Sequence, residues 1–197
     1  MQKFNRKGLK MSATESAVTF VKKTNPNRAN VERFISQNFY ECYGAKVSYF
    51  SQVLVSYNNQ NDELVAAFGI TKLAHHKAFL EQYLSKPIEK EIASFTVKKV
   101  KRGEIFELGN LAATDPGATR RLIKKMADHL YSLGARWVVF TANNLVINAF
   151  QRLNLNPIAL KKADPKLLPN QGANWGKYYD NKPLVMFIEI PPPHKYS

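Results

Sequence analysis

The segment Glu104–Pro157 reads EIFELGNLAATDPGATRRLIKKMADHLYSLGARWVVFTANNLVINAFQRLNLNP and carries the most specific signal in the chain. Apolar runs and helical periodicity predict four elements, which are strand Ile105–Ala112, helix Ala118–Leu133, strand Trp137–Thr141 and helix Leu145–Leu153. A Pro-Gly turn opens the first helix, and basic residues follow in its first turns. A strand, a turn and a helix with a positive N-terminus often hold the phosphates of a cofactor.

The remaining elements complete an alternation of helices and strands. A helix capped by Asn30 is expected to end at Gly44, and Pro87 opens another short helix. The other predicted elements are strands Val47–Tyr57, Leu64–Ile70 and Leu184–Ile190 and helix Ile88–Ala93. This order predicts the α/β (α+β) class, with a single mixed, mostly antiparallel sheet and helices on both faces. We expect an arm or edge strand over residues 1–27, with a strand around Val18–Val21, and one domain over residues 28–197.

Composition and charge narrow the classes of function. The chain has 197 residues, of which 45% are hydrophobic, so it is long and apolar enough to bury a core. Its formal net charge is +14, from 29 Lys and Arg against 15 Asp and Glu. That charge favours an anionic partner such as an acidic protein, an anionic lipid surface or a phosphorylated cofactor. No nucleic-acid-binding motif accompanies the charge, so nucleic acid ranks last among these partners.

The single cysteine and the N-terminal segment bear on location. Cys42 is alone, so no intramolecular disulfide can form, and its place on the apolar side of the first helix predicts a buried thiol. No apolar run is long enough to span a bilayer. The basic N-terminus lacks a continuous apolar stretch of the kind that signal peptides carry. We therefore expect a cytoplasmic protein, with peripheral contact to the inner membrane as the alternative site of action.

The helix after Pro116-Gly117 is a candidate anion site. Arg120 and Arg121 lie in its first turn, where the helix dipole already places positive partial charge. Free backbone N–H groups together with arginine would bind a phosphate there. The alternative is that both side chains bend into solvent at little cost. The candidate cofactor-binding residues at this turn are Gly117, Ala118, Thr119, Arg120 and Arg121.

Glu107 and Asn110 are the candidate catalytic residues. Glu107 interrupts an apolar strand, where burial would raise its pKa toward the range of a general base. The alternatives are that its side of the strand is solvated or that a nearby Lys or Arg pairs with it. Asn110 falls on the opposite face of a regular strand, but a bulge at Gly109 would bring both side chains to one side and open the sheet. Such an opening would admit an extended ligand.

Two further sets could contact a substrate. Glu81 and Tyr83 could bind an amine, and the alternative is a solvated helix edge with Tyr83 in the core. Trp175 and Tyr178 could line a pocket, although an aromatic core is the commoner reason for such a cluster. The pair His75-His76 is interpreted as a solvated turn, because no second set of ligands stands at metal-binding spacing. We therefore predict no metal site.

The order of elements in Glu104–Pro157 resembles the core of GNAT-type acyltransferases. In that fold two parallel strands splay apart and admit the pantetheine arm of an acyl thioester, and the following helix start binds pyrophosphate. The resemblance implies roles for Leu111 and Ala112 at the thioester and for Asn148 on the last helix. Two features depart from the family. Gly117 stands alone where two glycines are typical, and Phe150 replaces the tyrosine that often protonates the leaving thiolate.

A narrower resemblance covers roughly Val31 to Phe187. The chain is similar to the thermostable hemolysin family of bacterial proteins, which is considered related to GNAT proteins and to N-acylhomoserine lactone synthases. The segments that carry the resemblance are FLEQYLSKPIE (Phe79–Glu89), EIFELGNLAA (Glu104–Ala113), WVVFTA (Trp137–Ala142), RLNLNP (Arg152–Pro157), ADP (Ala163–Pro165) and WGKYYDNKPLVM (Trp175–Met186).

These resemblances imply an acyltransferase with no tightly bound cofactor. Acyl carrier protein or coenzyme A would supply the acyl thioester as co-substrate, and a small amine would accept the acyl group. An acidic carrier protein suits the positive net charge, and its phosphopantetheine needs a smaller phosphate cradle than coenzyme A does. The alternative function is a membrane-active hemolysin without catalytic turnover, attracted by charge to anionic lipid.

Overall fold

The computed structural model describes residues 17–190 and 192, and within them seven strands form one sheet. The strands are β1 (Val18–Lys22), β2 (Val53–Asn58), β3 (Leu64–Lys72), β4 (Ile105–Ala113), β5 (Trp137–Ala142), β6 (Ile158–Lys162) and β7 (Leu184–Glu189). Their spatial order is β1-β2-β3-β4-β5-β7-β6. Only the β4–β5 pair among these is parallel. The predicted mixed, mostly antiparallel sheet is confirmed.

Helices cover both faces of this sheet. The α-helices of the described residues are α1 (Arg28–Tyr43), α2 (Ile88–Ala93), α3 (Pro116–Ser132) and α4 (Asn144–Gln151). Alternate residues of β5 divide the core, since Val138 and Phe140 pack with α3 and α4 whereas Trp137 and Val139 pack with α2. The face under α1 and α2 is called the front face below, and the face under α3 and α4 the rear face.

The first helix begins earlier than predicted. Asn27, and not Asn30, stands at the N-cap position of α1, and the Asn30 side chain instead donates a hydrogen bond of 2.8 Å to Asn27 Oδ1. The predicted end is confirmed, because Gly44 terminates the helix in the left-handed conformation at φ +67°. The strand expected around Val18–Val21 is β1, at the edge of the sheet. Residues 1–16 of the expected arm lie outside the described residues.

The prediction that Cys42 is buried is wrong. Cys42 is exposed, because the buried stripe of α1 advances in steps of four residues through Val31, Ile35 and Phe39. The next step falls on Tyr43, which is half-buried, and turns Cys42 outward. A three-residue step from Phe39 would have placed the thiol on the stripe, and the sequence permits either step.

Two strands differ from prediction for local reasons. Strand β2 begins only at Val53, because the Arg28 guanidinium binds the carbonyl oxygens of Ser51 at 2.8 Å and Gln52 at 3.3 Å ahead of it. Strand β6 was not predicted, since its residues are mostly exposed and carry no clear alternation. It pairs only with β7 at the edge of the sheet, where few side chains need to be buried.

The sheet opens between its two parallel strands. Strands β4 and β5 pair from Ile105–Trp137 to Leu108–Phe140, and no further pair follows. Beyond that point β4 continues along β3 to Ala113, whereas β5 continues along β7 to Ala142. The two strands therefore diverge in the middle of the sheet, and their backbones lack a strand partner on the facing sides. This opening, defined by residues 109–111 and 141, is called the splay.

Candidate active site

A bulge in β4 shapes one side of the splay. The β3–β4 register passes from Gly69–Gly109 to Ala67–Ala112, so Asn110 and Leu111 together oppose the single residue Phe68. Asn110 has φ +54°, a conformation that asparagine tolerates better than most residues. A bulge was predicted at Gly109, and the structure centres it one residue later on Asn110.

Hydrogen bonds hold the Asn110 side chain on the front face. Its Oδ1 accepts from the Ser51 backbone N–H at 3.1 Å, and its Nδ2 donates to the Tyr49 carbonyl oxygen at 2.9 Å. Ser51 packs so closely that a Cβ on Gly69 would lie 2.3 Å from its Oγ. A Cβ on Gly109 would also point at this hydroxyl, from 3.7 Å. Gly109 lies two residues after Glu107 and therefore on the same face of β4. Because the Asn110 side chain approaches the same Ser51 that Gly109 faces, the bulge places Asn110 on the side of Glu107, as predicted.

Glu107 is buried and bound by backbone amides. It is 6% exposed, and its two carboxylate oxygens accept hydrogen bonds of 2.9 Å from the N–H groups of Phe79 and Leu80. Burial raises the pKa of Glu107 to about 7, and the nearby Glu81 charge adds to this, while the two N–H donors oppose it. Within residues 17–190, neither alternative considered for Glu107 is found, since the carboxylate is buried and no Lys or Arg pairs with it. A carboxyl group that titrates near neutrality suits a general base.

Glu81 organises the segment that carries Phe79 and does not line the cavity described below. Its carboxylate accepts backbone hydrogen bonds from Ala78 at 2.8 Å and Ile88 at 2.9 Å, and two bonds of 2.8 Å from the Arg102 guanidinium. Burial raises the pKa of Glu81, but these donors outweigh burial, so the net pKa is lowered. With every oxygen occupied, Glu81 is placed as a structural anchor and not as the amine contact that the sequence suggested.

One cavity of about 280 Å³ occupies the splay and is lined by residues from both faces of the sheet. Its part on the front face is called the front chamber and is lined by eight aromatic side chains together with Glu107. These rings are Phe39, Tyr43, Tyr49, Phe79, Tyr83, Trp175, Tyr178 and Tyr179. Tyr83, Trp175 and Tyr178, three of the predicted substrate contacts, therefore share one compartment with the candidate base. Ser48, Ser51, Gln82 and Asn110 add polar groups to it.

The part of the cavity on the rear face is called the rear chamber and has an apolar lining. It lies between the sheet and the helices α3 and α4. Its walls are formed by Phe68, Leu108, Ile123, Met126, Ala127, Leu130, Val138, Phe140, Val146, Phe150, Leu155, Ile188 and Ile190. The cavity thus joins a polar, aromatic compartment to a hydrocarbon-lined compartment through a gap between two strands.

Phenols in the front chamber are kept protonated. Burial raises the pKa of Tyr179 to about 12, and it raises the pKa of Tyr43, Tyr83 and Tyr178 as well. The hydroxyl groups of Tyr83 and Tyr179 share a hydrogen bond of 2.5 Å. Tyr178 donates a long hydrogen bond of 3.5 Å to the carbonyl oxygen of Thr141, at the β5 side of the splay. These rings therefore present neutral donors around Glu107.

Gly176 allows the segment that carries Trp175 and Tyr178 to dock against α1. At φ +50° its hypothetical Cβ would lie 2.1 Å from the Tyr43 carbonyl oxygen, the same oxygen that accepts a 2.8 Å hydrogen bond from Lys177 N–H. Gly176→Ala is expected to lower the free energy of unfolding by at least about 2 kcal/mol, through strain and this collision. Thermal or urea unfolding measures the effect. Gly103→Ala is the control, since its Cβ would approach nothing closer than 3.8 Å, and an equal loss in both variants would refute this explanation.

The start of α3 already holds an anion from the chain itself. The Asp115 carboxylate accepts a hydrogen bond of 2.8 Å from the Ala118 N–H, which lowers the pKa of Asp115, and it lies 3.8 Å from Arg121 Nη2. At the predicted phosphate site the Ala118 amide and one arginine therefore already face a carboxylate of the chain itself, and phosphate binding there stays a prediction. None of Gly117, Ala118, Thr119, Arg120 and Arg121 lines the cavity.

The other residues implied by resemblance divide between the cavity and the surface. Leu111 lines the cavity and Ala112 is buried beside α1, whereas Asn148 is exposed on α4 and does not line the cavity. Phe150 stacks on Phe140 with ring centroids 4.6 Å apart in the rear chamber. It therefore acts as part of the apolar wall, and no hydroxyl stands at this position to protonate a thiolate.

Sequence reasoning did not identify several residues that build the front chamber. Tyr49 and Phe79 stack with centroids 6.1 Å apart, and Tyr43 OH accepts a 3.0 Å hydrogen bond from Asn143 Nδ2 at the start of α4. Asn143 also caps that helix through Val146 N–H at 3.2 Å. The helical spacing of Phe39 and Tyr43 was the available signal for the α1 contribution, but no local pattern shows which aromatic rings will meet across the sheet.

Several solved structures of other proteins share the fold of this chain. Solved structures that resemble the chain include the AHL synthase LasI, at a TM-score of 0.59 and 10% identity over 90% of this chain and 91% of that one. FeeM, an N-acyl amino acid synthase from uncultured soil microbes, matches at 0.57 and 14% over 89% and 92%. The CoA-dependent acyl-homoserine lactone synthase MesI matches at 0.54 and 15% over 89% and 90%. No curated protein matches the sequence.

The splayed sheet and its flanking helices are thus a GNAT-like fold of the kind found in acyl-homoserine lactone synthases. The model of one sequence family, described as Thermostable hemolysin, matches residues 21–193. The chain belongs to the thermostable hemolysin family.

Proposed function

We propose that this protein is an acyltransferase that moves an acyl group from a thioester donor to an amine. The observation that carries this proposal is the cavity through the splay, with an apolar chamber on one face and a buried carboxylate among aromatic rings on the other. A thioester carbonyl lying at the splay would place its hydrocarbon chain in the rear chamber. The amine would then approach from the front chamber. Similarity of fold to synthases named for acylated products supports this proposal.

Glu107 is the proposed general base. An amine bound in the front chamber as an ammonium ion first gives one proton to Glu107, directly or through a water, and the neutral nitrogen then attacks the carbonyl carbon so that a C–N bond forms. Collapse of the tetrahedral intermediate breaks the C–S bond and releases the thiolate, which takes up the second proton that the nitrogen loses, directly or through solvent. Backbone N–H groups near residues 110–112 would stabilise the negative charge on the carbonyl oxygen. The partly apolar surroundings strengthen that interaction.

The start of α3 favours an acyl carrier protein as donor. A pyrophosphate bound at this helix would meet the Asp115 carboxylate, which already occupies the Ala118 N–H. The single phosphate of a carrier-bound phosphopantetheine needs no such cradle, and the acidic carrier would be attracted by a chain of net charge +14. Arg121, Lys124 and Lys125 are exposed on α3 and supply cations near the end of β4 for that encounter.

Neutralising Asp115 tests this preference. Asp115→Asn is expected to strengthen binding of an acyl-CoA by about fivefold, since one exposed charge near a phosphate is worth roughly 1 kcal/mol. Asparagine caps a helix about as well as aspartate, so stability is expected to change little. Isothermal titration calorimetry with decanoyl-CoA measures the effect. Asp128→Asn, which removes the same charge from the exposed side of α3, is the control, and an equal gain there would contradict a local effect at the helix start.

Thiol release tests the proposed function directly. The protein is incubated with decanoyl acyl carrier protein or decanoyl-CoA and a mixed pool of primary amines, and free thiol is followed with a chromogenic reagent. Amine-dependent release by the wild type, and its loss in Glu107→Gln, are expected. No release from either donor with any amine, together with no donor binding in calorimetry, would refute the proposal.

Direct membrane action is the second candidate function, and one surface loop favours it. Val97 is fully exposed and Phe95 half-exposed in a loop that also presents Lys98 and Lys99. Apolar side chains beside lysines suit peripheral insertion into an anionic bilayer, here the inner membrane. Within the described residues, none of the helices has the length and apolar character needed to cross a bilayer. The same contact would let an acyltransferase release a lipid-like product into a membrane.

Val97→Glu is expected to weaken binding to phosphatidylglycerol vesicles by about tenfold, since burial of one valine contributes roughly 1.5 kcal/mol. Vesicle co-sedimentation measures this, with Leu167→Glu as control because Leu167 is a half-exposed apolar residue elsewhere on the surface. Equal binding by wild type and Val97→Glu would exclude the loop as the contact. Lysis of erythrocytes by Glu107→Gln then separates the two functions, because direct membrane action survives this substitution and lysis by an enzymatic product does not.

A further inference from the structure

We propose that the acceptor is an amine that carries neither a carboxylate nor a phosphate, and that the front chamber binds it as a monocation. This inference rests on the proposed acyltransferase function and narrows the class of its acceptor. It would set this chain apart from a synthase of N-acyl amino acids, whose acceptor brings a carboxylate that must be neutralised.

The first support is the charge of the cavity lining. Among the lining residues, all within the described part of the chain, there is no lysine, arginine or histidine, and Glu107 is the only carboxylate. The chain as a whole has 29 Lys and Arg against 15 Asp and Glu, so the lining departs sharply from the overall composition. An acceptor with a carboxylate would bring a second negative charge beside Glu107 without a cation to oppose it, which is costly in a partly desolvated site.

The second support is that two arginines near the front chamber, the buried Arg28 and the half-buried Arg102, already bind other groups. The Arg28 guanidinium donates a hydrogen bond of 2.6 Å to the Glu32 carboxylate. It also donates to the carbonyl oxygens of Val21, Ser51 and Gln52. Arg102 binds Glu81, Glu89 and the carbonyl oxygen of His76. Each arginine would have to break a hydrogen bond to a buried or half-buried group before it could bind the carboxylate of a ligand.

The third support is the aromatic lining itself. Trp175 lies with its ring centroid 5.9 Å from that of Phe79, 5.5 Å from Tyr178 and 6.2 Å from Tyr179. An ammonium group near such ring faces gains cation–π attraction of about 0.5–2 kcal/mol per ring, depending on desolvation. Glu107 attracts the same charge and takes the proton that the amine must lose. The rings also match an aryl or alkyl body better than a polar one.

Matched pairs of acceptors test the inference. Tyramine with tyrosine, and phenethylamine with phenylalanine, differ within each pair only by a carboxylate. Acylation is measured by mass spectrometry, and binding is measured separately through quenching of Trp175 fluorescence, with Trp175→Phe as the baseline for the one other tryptophan. The amine of each pair is expected to exceed its amino acid at least tenfold in both measurements. Equal or better binding of the amino acids would overturn the inference.

A charge-insertion variant sharpens this test and separates its failure from that of the proposed function. Gln82 is half-buried in the lining, so Gln82→Arg is expected to raise relative binding of tyrosine over tyramine by about tenfold, whereas Gln37→Arg on the exposed side of α1 leaves the ratio unchanged. An unchanged ratio in Gln82→Arg would count against the inference. Selective amine binding without acylation of any amine would overturn the acyltransferase function while supporting the assignment of the chamber to a carboxylate-free amine.

Discussion

Replacement of Glu107 by glutamine is expected to lower kcat/KM for amine-dependent thiol release by about a thousandfold, within the range that positioned general bases contribute. The wild-type kcat/KM is expected to fall as the pH drops below about 7, because the Glu107 carboxyl then holds its proton and cannot accept another. The residual rate of Glu107→Gln is expected to lose this titration. Steady-state kinetics between pH 5 and pH 9, both chosen to bracket the pKa, measure both effects.

A control is needed because Glu107 also accepts hydrogen bonds that hold the Phe79 segment in place. Glutamine retains only one acceptor oxygen, so one of the two backbone bonds from Phe79 and Leu80 weakens. Glu104→Gln alters a half-exposed carboxylate three residues earlier, paired with Lys101 at 3.3 Å, and is expected to keep wild-type activity. If Glu107→Gln lost activity but kept the wild-type pH profile, the carboxylate would act only by positioning the Phe79 segment, and the assignment as base would be wrong.

Filling the rear chamber is expected to produce the second large effect. Ala127 lies on α3 in the apolar wall, and Ala127→Phe would place a ring where the acyl chain is proposed to lie. Activity with a decanoyl donor is expected to fall by about a hundredfold, since even small changes in an apolar pocket cost 1–3 kcal/mol. Activity with an acetyl donor is expected to change little, because a short acyl group would not reach the substituted wall.

Comparison of the two donors within one variant separates occlusion from misfolding. Overpacking a core commonly costs about 1–3 kcal/mol of stability, so thermal unfolding of Ala127→Phe accompanies the kinetics. Ala159→Phe on the exposed surface of β6 introduces the same ring away from the cavity and serves as control. Equal loss with decanoyl and acetyl donors would contradict a role of the rear chamber in acyl binding.

The sequence predicted those parts of the fold that depend on local pattern. The strands β3, β4, β5 and β7 and the helix α3 were confirmed with small shifts at their ends. Strand β6 was missed because an exposed edge strand needs no alternation. Cys42 was misplaced because the end of α1 permits the buried stripe to advance by three or by four residues.

In the candidate site too, features that depend on one residue and its neighbours could be predicted from the sequence, whereas contacts between distant residues could not. The presence of Glu107 in an apolar strand suggested a buried carboxylate with a raised pKa, beside the alternatives of solvation and of pairing with Lys or Arg, and burial is the largest cause of the raised pKa in the structure. Its backbone partners lie 27 and 28 residues away in the chain, so the sequence could not name them. Asp115 was overlooked, although an aspartate directly before Pro-Gly is a recognisable N-cap, and it changed the interpretation of the helix start.

The predicted phosphate site shows that a side chain of the protein can meet the same electrostatic need as a bound anion. Arg120 and Arg121 suggested an external anion, since cations at a helix N-terminus are unfavourable without one. The Asp115 carboxylate supplies that anion from within the chain, at 2.8 Å from the Ala118 nitrogen. A carboxylate at this helix start disfavours a second anion beside it, which supports the proposal of a carrier-protein donor whose phosphate binds elsewhere.

The most direct test of catalysis at the splay is mass spectrometry of lipid extracts from cells that overproduce the protein. Extracts of cells with the wild type are expected to contain an N-acylated amine that is absent from cells with Glu107→Gln, at matched protein levels. Its fragmentation should yield a long-chain acyl group and an amine without a carboxylate. Extracts indistinguishable between wild type and Glu107→Gln, from cells that supply both thioester and amines, would contradict the account.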